Sequence, residues 1–392
     1  MLIEMKLYEY LAGIVNAQLF GAEPVKRPED ISDEMLIDIA RRNHMSYVIF
    51  SELIKDSRLG EKQIELMRTT IKKCVYIALV QACELRAMET SFEAAGVKCL
   101  PLKGSVIKGI YPRPELREMS DIDVLIAEED MDKATECLKT QGYTLQQAIK
   151  HHDIYKKAPV MVIEAHRSLY DKTVDGNQYR YFKGFDKAKL REGKQYIYDF
   201  SPEDFYIYML AHAAKHFYVM GCGIRNLVDI YVYLKKYRDA MNMEYVEEEL
   251  RKCGIYDFAQ NAEKLAFDWL EGREFDGFEE DLFQYMLDSG IYGKDENGIW
   301  NKLINDDSDT ISEKALKRWY FFPPLYYMCE YYPWLEDKPL LLPVAWCIRF
   351  YRGAFMDKGK RKRNMIRQVK KDQILTYKRI YQRMNMRFSR RS

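Results

Sequence analysis

Three acidic residues lie in apolar segments of this 392-residue chain, where carboxylates are unusual. Asp121 and Asp123 stand at the start of the apolar run Ile122–Ile126, and Glu164 lies in a second such run further along. Side chains two apart on a strand share a face, so Asp121 and Asp123 project together, as Glu164 and His166 do. Two carboxylates on one face repel each other unless a cation lies between them. The spacing therefore predicts a Mg²⁺ site, with Glu164 as the third ligand.

A short turn ahead of these acids carries residues suited to phosphate. Gly104 has no Cβ, so a phosphate could approach its backbone closely. Ser105 would offer its N–H and hydroxyl at the start of a short helix, where anions are favoured. Lys103 and Arg117 are the nearest cations, and the forked guanidinium of Arg117 suits phosphate. Two Mg²⁺ ions about 3.5–4 Å apart can clamp the attacking and leaving oxygens of an in-line displacement, so we expect two ions and a triphosphate.

The elements that must position these groups form a small α/β unit between helices. Residues 1–95 show a helical pattern, which includes a long helix from Gln63 to Phe92 ended by Gly96. The segment that follows predicts strands at 97–102, 121–127, 145–155 and 160–166 and a helix at 130–141, the last two strands pairing as a hairpin. We therefore expect an α+β fold with a small mixed-sheet core flanked by N-terminal and C-terminal helical regions.

A helical period returns at Ser201, which suits an N-cap, with Pro202 at the first helical position. The acidic segment 270–312 is weakly periodic and predicts short helices and loops. The expected divisions are an N-terminal helical region (1–95), the sheet core (96–200), a C-terminal helical region (201–350) and a basic amphipathic tail (351–392).

The charge is unevenly placed along the chain, although its net value is only +1. From Arg352 onward there are 15 Lys and Arg against 2 Asp and Glu, a net of +13, which leaves −12 for the preceding residues. Apolar residues at 366, 369, 377, 380 and 384 predict a basic amphipathic helix. This helix could pack on the body of the protein or bind an anionic partner, either nucleic acid or a membrane surface.

Composition and cysteine usage indicate a compartment and a class. Apolar content is 47% and charged content 31%, which is typical of a globular rather than a disordered chain. Eight scattered cysteines without ligand spacing, and no secretory leader at the N-terminus, predict a cytoplasmic protein. No P-loop, G-x-G-x-x-G or nucleophile-elbow motif occurs, which argues against P-loop ATPases, Rossmann dehydrogenases and α/β-hydrolases.

Two histidines four residues apart, His212 and His216, share a helix face and are candidate substrate contacts. With Glu164 or Asp229 they could bind a metal such as zinc. We favour the alternative that they pack against the sheet or contact phosphate. Asp229 is expected to pair with a basic neighbour such as Arg225, four residues before it on the same helix.

His166 shares the face of Glu164 and has three candidate roles. It could orient Glu164, contact a substrate hydroxyl, or be a structural histidine.

These motifs together resemble the DNA polymerase β-type nucleotidyltransferase superfamily. More narrowly, the chain is similar to a bacterial nucleotidyltransferase family with a Lys-Gly turn, an Arg-x-x-x-Asp-Ile-Asp strand and a later Glu-x-His. Here these motifs are Lys103-Gly104, Arg117 to Asp123, and Glu164 to His166. The resemblance implies the fold and the reaction type but supplies no acceptor.

The sequence thus predicts an Mg²⁺-dependent nucleotidyltransferase, with Asp121, Asp123 and Glu164 as both metal ligands and catalytic residues. It would move a nucleoside monophosphate from an NTP, with ATP the first candidate, to an unknown hydroxyl acceptor and release pyrophosphate. The alternative is a non-catalytic nucleotide- or protein-binding module, such as a toxin–antitoxin component. A binding module needs no third carboxylate, so Glu164 favours the enzyme.

Overall fold

The first 95 residues fold into four helices, the last of them unusually long. They are α1 (Leu2–Phe20), α2 (Asp33–Arg42), α3 (Ser46–Leu53) and α4 (Glu61–Ala95). Gly96 ends α4 in the left-handed conformation (φ 69°), as predicted. This computed structural model describes residues 2–148, 152–170, 176–294, 297, 318, 321–355 and 371–386.

A five-stranded mixed sheet follows α4 and carries the acidic residues. Its members, with two interspersed helices, are β1 (Cys99–Pro101), α5 (Lys103–Ile107), β2 (Ile122–Ile126), α6 (Met131–Thr140), β3 (Thr144–Ala148), β4 (His152–Lys157) and β5 (Met161–His166). The strand order is β1-β2-β5-β4-β3. The central pair β2–β5 is parallel, whereas the other pairs are antiparallel. The fold is therefore α+β with a small mixed sheet, as predicted.

One sequence prediction within the sheet is wrong. The segment 145–155, expected as a single strand, contributes to two strands, β3 and β4. The hairpin predicted with 160–166 is formed by β4 and β5. Because the chain folds back, β4 is hydrogen-bonded along both of its edges and only β3 remains as the sheet edge on that side.

The two faces of the sheet have different neighbours. One face packs against α4 and α6 through a buried apolar cluster that includes Phe92, Ile122, Leu138, Tyr155 and Ile163. The opposite face carries the polar residues of β2 and β5. It is directed toward the helices that follow the sheet, so any chemistry takes place between the sheet and those helices.

The remainder of the described chain is mainly helical. Its elements are α7 (Gly176–Tyr181), β6 (Ala188–Leu190), β7 (Tyr198–Phe200), α8 (Pro202–Met220), α9 (Arg225–Tyr237), α10 (Met243–Cys253), α11 (Tyr256–Leu270), α12 (Gly277–Ser289), α13 (Leu325–Tyr331), α14 (Leu342–Phe355) and α15 (Lys371–Met384). Ser201 caps α8 by accepting a hydrogen bond from the Asp204 N–H (3.1 Å), as predicted. In the acidic segment 270–312, α12 is a regular 13-residue helix, and most of residues 295–312 lie outside the described part.

The N-terminal and C-terminal helices share one core. The Trp269 indole donates to the backbone oxygen of Tyr8 (2.9 Å), and the Tyr8 hydroxyl donates to the Gln284 side chain (2.7 Å). Elements from both ends of the chain thus support the same side of the sheet. The division into regions at 95/96, 200/201 and 350/351 stays a prediction.

The basic tail contributes one described helix, α15. Its apolar residues Ile380, Tyr381 and Met384 are buried in the main core, and the Tyr381 hydroxyl contacts that of Tyr285 (2.8 Å). Of the other predicted stripe residues, Tyr377 packs against the same core, and residues 366 and 369 lie outside the described part of the chain. Part of the apolar stripe is therefore used within the chain, and an anionic partner for the tail stays a prediction. Of the described helices, none combines the length and apolarity needed to cross a bilayer.

Candidate active site

Strand pairing brings two of the predicted acids side by side. In the parallel register of β2 and β5, Asp123 lies directly opposite Glu164, and Asp121 immediately precedes β2. The alternate residues Ile122 and Ile163 point into the apolar cluster on the other face, which fixes the direction of the acids. All three carboxylates line a single cavity.

Asp123 is held by two groups that contact the same oxygen. Lys103 Nζ donates to Asp123 Oδ1 at 2.8 Å, and His166 Nε2 lies 2.9 Å from it. Burial alone would raise the pKa of this carboxyl, but the Lys103 charge and the His166 hydrogen bond outweigh it and hold the pKa well below its usual range. Asp123 is therefore ionised at neutral pH even though it is buried.

The contact with Asp123 determines which ring nitrogen of His166 carries the proton. Burial lowers the pKa of His166 to about 4, so the ring is neutral at pH 7. An ionised carboxylate can only accept a hydrogen bond, so the proton must be on Nε2. His166 therefore donates to Asp123 rather than to Glu164, whose Oε2 lies 3.6 Å from Nε2. Its role toward a substrate stays a prediction.

Asp121 and Glu164 carry negative charge that the protein neutralises only in part. No hydrogen bond or ion pair from a described residue reaches the Asp121 carboxylate. Burial, followed by the charges of Asp123 and Glu164, raises the pKa of Asp121 to about 6. Burial and the charge of Asp123 also raise the pKa of Glu164. The cluster therefore suits a bound cation.

The donor set fits Mg²⁺. Ligand atoms of Asp123, Glu164 and His166 all lie within 4.8 Å of one another. His166 Nε2 cannot bind a metal while it donates its proton to Asp123, so carboxylate oxygens remain the candidate ligands. Hard oxygen ligands of this kind are the ones Mg²⁺ prefers.

Lys103 adopts a strained backbone conformation at the start of α5. Its φ of 42° lies in the left-handed region, which is rare for a residue with a side chain. Such strain is concentrated at functional sites, where the surrounding structure supports it. Here the strained position places the Lys103 ammonium against Asp123, so Lys103 is the counter-ion of the acidic cluster.

Gly104 is required by its neighbours in the fold. A Cβ at this position would lie 2.8 Å from Arg117 Nη1 and 3.0 Å from Met119 Sδ. Arg117 cannot easily move aside, because its guanidinium is fixed on Asp229. The absent side chain thus makes room for a protein cation, in addition to any phosphate.

Gly104→Ala is expected to destabilise the protein by about 1–3 kcal/mol, the usual cost of overpacking, and to reduce activity. Gly109→Ala is the matched control, because nothing lies within 4 Å of a Cβ there. Thermal or urea denaturation of both variants measures the difference. Equal stability of the two variants would contradict this packing role.

Ser105 lies beside the cavity but not in its described lining. Its N–H donates to the Leu102 carbonyl (3.2 Å), and its hydroxyl is buried without a hydrogen-bond partner among the described residues. Its predicted role toward phosphate stays a prediction.

Arg117 forms a buried, bidentate ion pair with Asp229. Its Nε and Nη2 donate to the two carboxylate oxygens of Asp229, each at 2.9 Å, and the Tyr111 hydroxyl donates to Asp229 at 2.7 Å. The prediction that Asp229 pairs with Arg225 is therefore wrong. Arg225 instead donates through Nη1 to the backbone oxygen of Glu118 at 2.6 Å. The tertiary contact of Arg117 replaces the weaker pairing along the helix.

The two histidines of α8 face the same cavity. His212 Nε2 and His216 Nε2 lie 3.0 Å apart. Burial lowers the pKa of His216 to about 4 and that of His212 well below its ordinary value, so both rings are neutral at pH 7. Among the described residues, these histidines are not within ligand distance of the acidic cluster, so the zinc alternative has no support from the structure.

The cavity measures about 260 Å³ and includes residues that the sequence patterns did not indicate. Its described lining is His44, Lys103, Gly104, Arg117, Met119, Ser120, Asp121, Asp123, Glu164, His212, His216, Cys222, Arg225, Asn226, Ile291 and Tyr292. His44 packs edge-on against Tyr292, and the Tyr292 hydroxyl contacts Ser120 (2.5 Å). No sequence motif includes His44 or Tyr292. Only their contact residue Ser120 is close to a motif, since it immediately precedes Asp121.

Comparison with known proteins provides one substantial match. Residues 29–271 match the sequence pattern of a family described as "Uncharacterised nucleotidyltransferase". No curated protein sequence matches the chain.

Two solved structures show a weak likeness. The solution structure of the antibiotic-resistance factor ANT(2'')-Ia is 10% identical, with a TM-score of 0.33, over 44% of this chain and 90% of that chain. The crystal structure of ANT(2'')-Ia in complex with adenylyl-2''-tobramycin is 9% identical, with a TM-score of 0.34, over 44% and 97%. The family match spans more than half of the chain and alone supports a classification.

Proposed function

Because the chain belongs to a family of uncharacterised nucleotidyltransferases, we propose that it transfers a nucleoside monophosphate from an NTP to a hydroxyl acceptor. The acceptor oxygen forms a bond to the α-phosphorus, the α–β phosphoanhydride bond breaks, and pyrophosphate leaves. One observation carries the proposal: Asp123 and Glu164 stand side by side on neighbouring parallel strands, and Asp121, immediately before the first of these strands, lines the same cavity, which also contains cations. ATP is the first candidate donor.

The three carboxylates are the proposed Mg²⁺ ligands, and two ions are expected. When bound, Mg²⁺ neutralises phosphate charge and aligns the reacting oxygens, which can supply several kcal/mol. The raised pKa values of Asp121 and Glu164 support this assignment, since burial and then neighbouring like charges disfavour the ionised carboxylates, and a bound cation would relieve both effects. Glu164, whose side chain is 25% exposed against 8% for Asp123, is also the proposed acceptor of the proton from the acceptor hydroxyl.

The cations and histidines of the cavity have separate proposed roles. Lys103 holds Asp123 in place and contributes positive charge beside the phosphates. Gly104 and Ser105 form the turn next to the β- and γ-phosphates, and Arg117 lends charge from behind Gly104. His212 and His216, both neutral, offer hydrogen bonds to a substrate without adding charge.

The proposal is tested by incubating the protein with each NTP and Mg²⁺, using label on either the α- or the γ-phosphate. We expect α-label, but not γ-label, on the protein itself or on a component of a cell lysate. The Asp121→Ala/Asp123→Ala variant is expected to transfer none. Equal labelling by wild type and variant would exclude the proposed chemistry, and nucleotide binding without transfer would favour the binding-module alternative.

A further inference from the structure

One cation of the cavity has no carboxylate partner. Arg225, the first residue of α9, contacts the backbone oxygen of Glu118 through Nη1, and no described carboxylate lies within ion-pair distance of it. Its Nε is buried and makes no hydrogen bond to any described residue. The Arg225 side chain lines the cavity and is partly exposed. A partly desolvated guanidinium without an ion-pair partner is costly unless an anion completes it.

The groups around Arg225 do not supply the missing counter-charge. Asp229 is occupied by Arg117 and Tyr111, so it does not pair with Arg225. Burial, followed by the charge of Arg117, lowers the pKa of Arg225 to about 10. Arg225 is still cationic at pH 7. On the side of the cavity formed by these two arginines, Arg117 is paired with Asp229, whereas Arg225 is in no ion pair with a described carboxylate.

Arg225 and the acidic cluster line the same cavity. Arg225 and Asp121 both line it, and the Arg225 charge lowers the pKa of Asp121 against the effects of burial and the other acids. The cavity thus has an acidic part suited to cations and a basic part suited to anions. A metal-bound polyphosphate carries both kinds of complementary group.

We infer that Arg225 is the anion-binding residue of this cavity and that its ligand is the polyphosphate of the NTP. The inference rests on the proposed function. It adds to the sequence prediction, which gave phosphate binding to Lys103, Gly104, Ser105 and Arg117. Both fork donors of Arg117 along one edge are taken by Asp229. Arg225, in contrast, lines the cavity and is in no ion pair with a described carboxylate, so its charge is available to an anion.

The test measures binding of inorganic tripolyphosphate, which removes any dependence on the base, together with ATP and adenosine, all with Mg²⁺ and by calorimetry. Arg225→Gln is expected to weaken tripolyphosphate and ATP binding about 10- to 100-fold, and to leave adenosine binding unchanged. Arg225→Lys, which keeps a charge but not the fork, is expected to fall between wild type and Arg225→Gln. Arg68→Gln, at an exposed arginine of α4, is the matched control and should bind like wild type.

The outcomes separate this inference from the proposed function. Wild-type affinity of Arg225→Gln for tripolyphosphate would overturn the inference while leaving nucleotidyl transfer standing. Arg225-dependent binding without any transfer of α-label would overturn the transfer reaction and support the anion site. If Arg225→Gln melts well below wild type, the Arg225→Lys variant decides the question. Wild-type affinity of Arg225→Lys for tripolyphosphate would overturn the role of the guanidinium, and a partial loss of that affinity would support it.

Discussion

Asp121→Asn is expected to abolish nucleotidyl transfer and yet leave the protein at least as stable as wild type. The carboxylate is a proposed metal ligand, and loss of several kcal/mol of charge stabilisation corresponds to a rate decrease on the order of 1,000-fold. In the metal-free fold, however, burial and two like charges raise the pKa of Asp121 to about 6. Above that pH the ionised group opposes folding, so a neutral isostere removes a penalty. Transfer rates and melting temperatures at pH 7.5, without added metal in the melts, measure the two effects.

A control variant separates the effect of losing Asp121 from the general effect of removing one negative charge from the protein. Asp132→Asn neutralises an exposed acid of α6 and is expected to alter neither activity nor melting temperature. Asp123→Asn should lose activity as well, but it should also lose stability, because Lys103 and His166 lose their ionised partner. An active Asp121→Asn protein, or one destabilised as much as Asp123→Asn, would contradict the assignment of Asp121.

Asp229→Leu is expected to destabilise the fold by about 3–5 kcal/mol, because it leaves the guanidinium of Arg117 buried without a counter-charge. Both side chains are almost fully buried, at 8% and 5% exposed. The Tyr111 hydroxyl would lose its acceptor at the same time. Urea denaturation, followed by circular dichroism, measures the change in the free energy of unfolding.

The double variant Arg117→Met/Asp229→Leu is expected to recover much of this loss, since apolar residues of similar volume can replace a buried ion pair. Glu136→Gln breaks the exposed Lys139–Glu136 pair and should leave the denaturation midpoint unchanged. A double variant no more stable than Asp229→Leu would show that the Arg117–Asp229 pair is not the source of the effect.

The acidic cluster could be predicted because it depends on local spacing. Period-two alternation fixes the faces of β2 and β5, so Asp123 and Glu164 had to project away from Ile122 and Ile163. What the alternation cannot give is the pairing of the two strands. The parallel register that sets Asp123 beside Glu164 depends on contacts between distant segments.

The cation network could not be predicted for the same reason. The helix rule paired Asp229 with Arg225, but Arg117, from the loop ahead of β2, reaches Asp229 with two hydrogen bonds instead. Exposed helical pairs contribute only about 0.2–0.5 kcal/mol, so a buried bidentate contact overrides them. His44 and Tyr292 enter the cavity from loops outside the sheet core, and no pattern links them to it.

The helical elements were partly predictable. Long periodic segments such as α4 were expected close to their observed bounds, and Gly96 marked the end of α4. The fold-back that makes two strands of 145–155 was missed, since side chains of β3 are exposed throughout and show no alternation.

The most direct test of the proposed site is a crystal structure with Mn²⁺ and an NTP analogue that cannot be cleaved between the α- and β-phosphates. Anomalous scattering locates the metal without reference to the protein model. We predict manganese peaks bounded by the carboxylates of Asp121, Asp123 and Glu164, with the triphosphate against them. Manganese bound elsewhere, with these three carboxylates facing bulk water, would contradict the account.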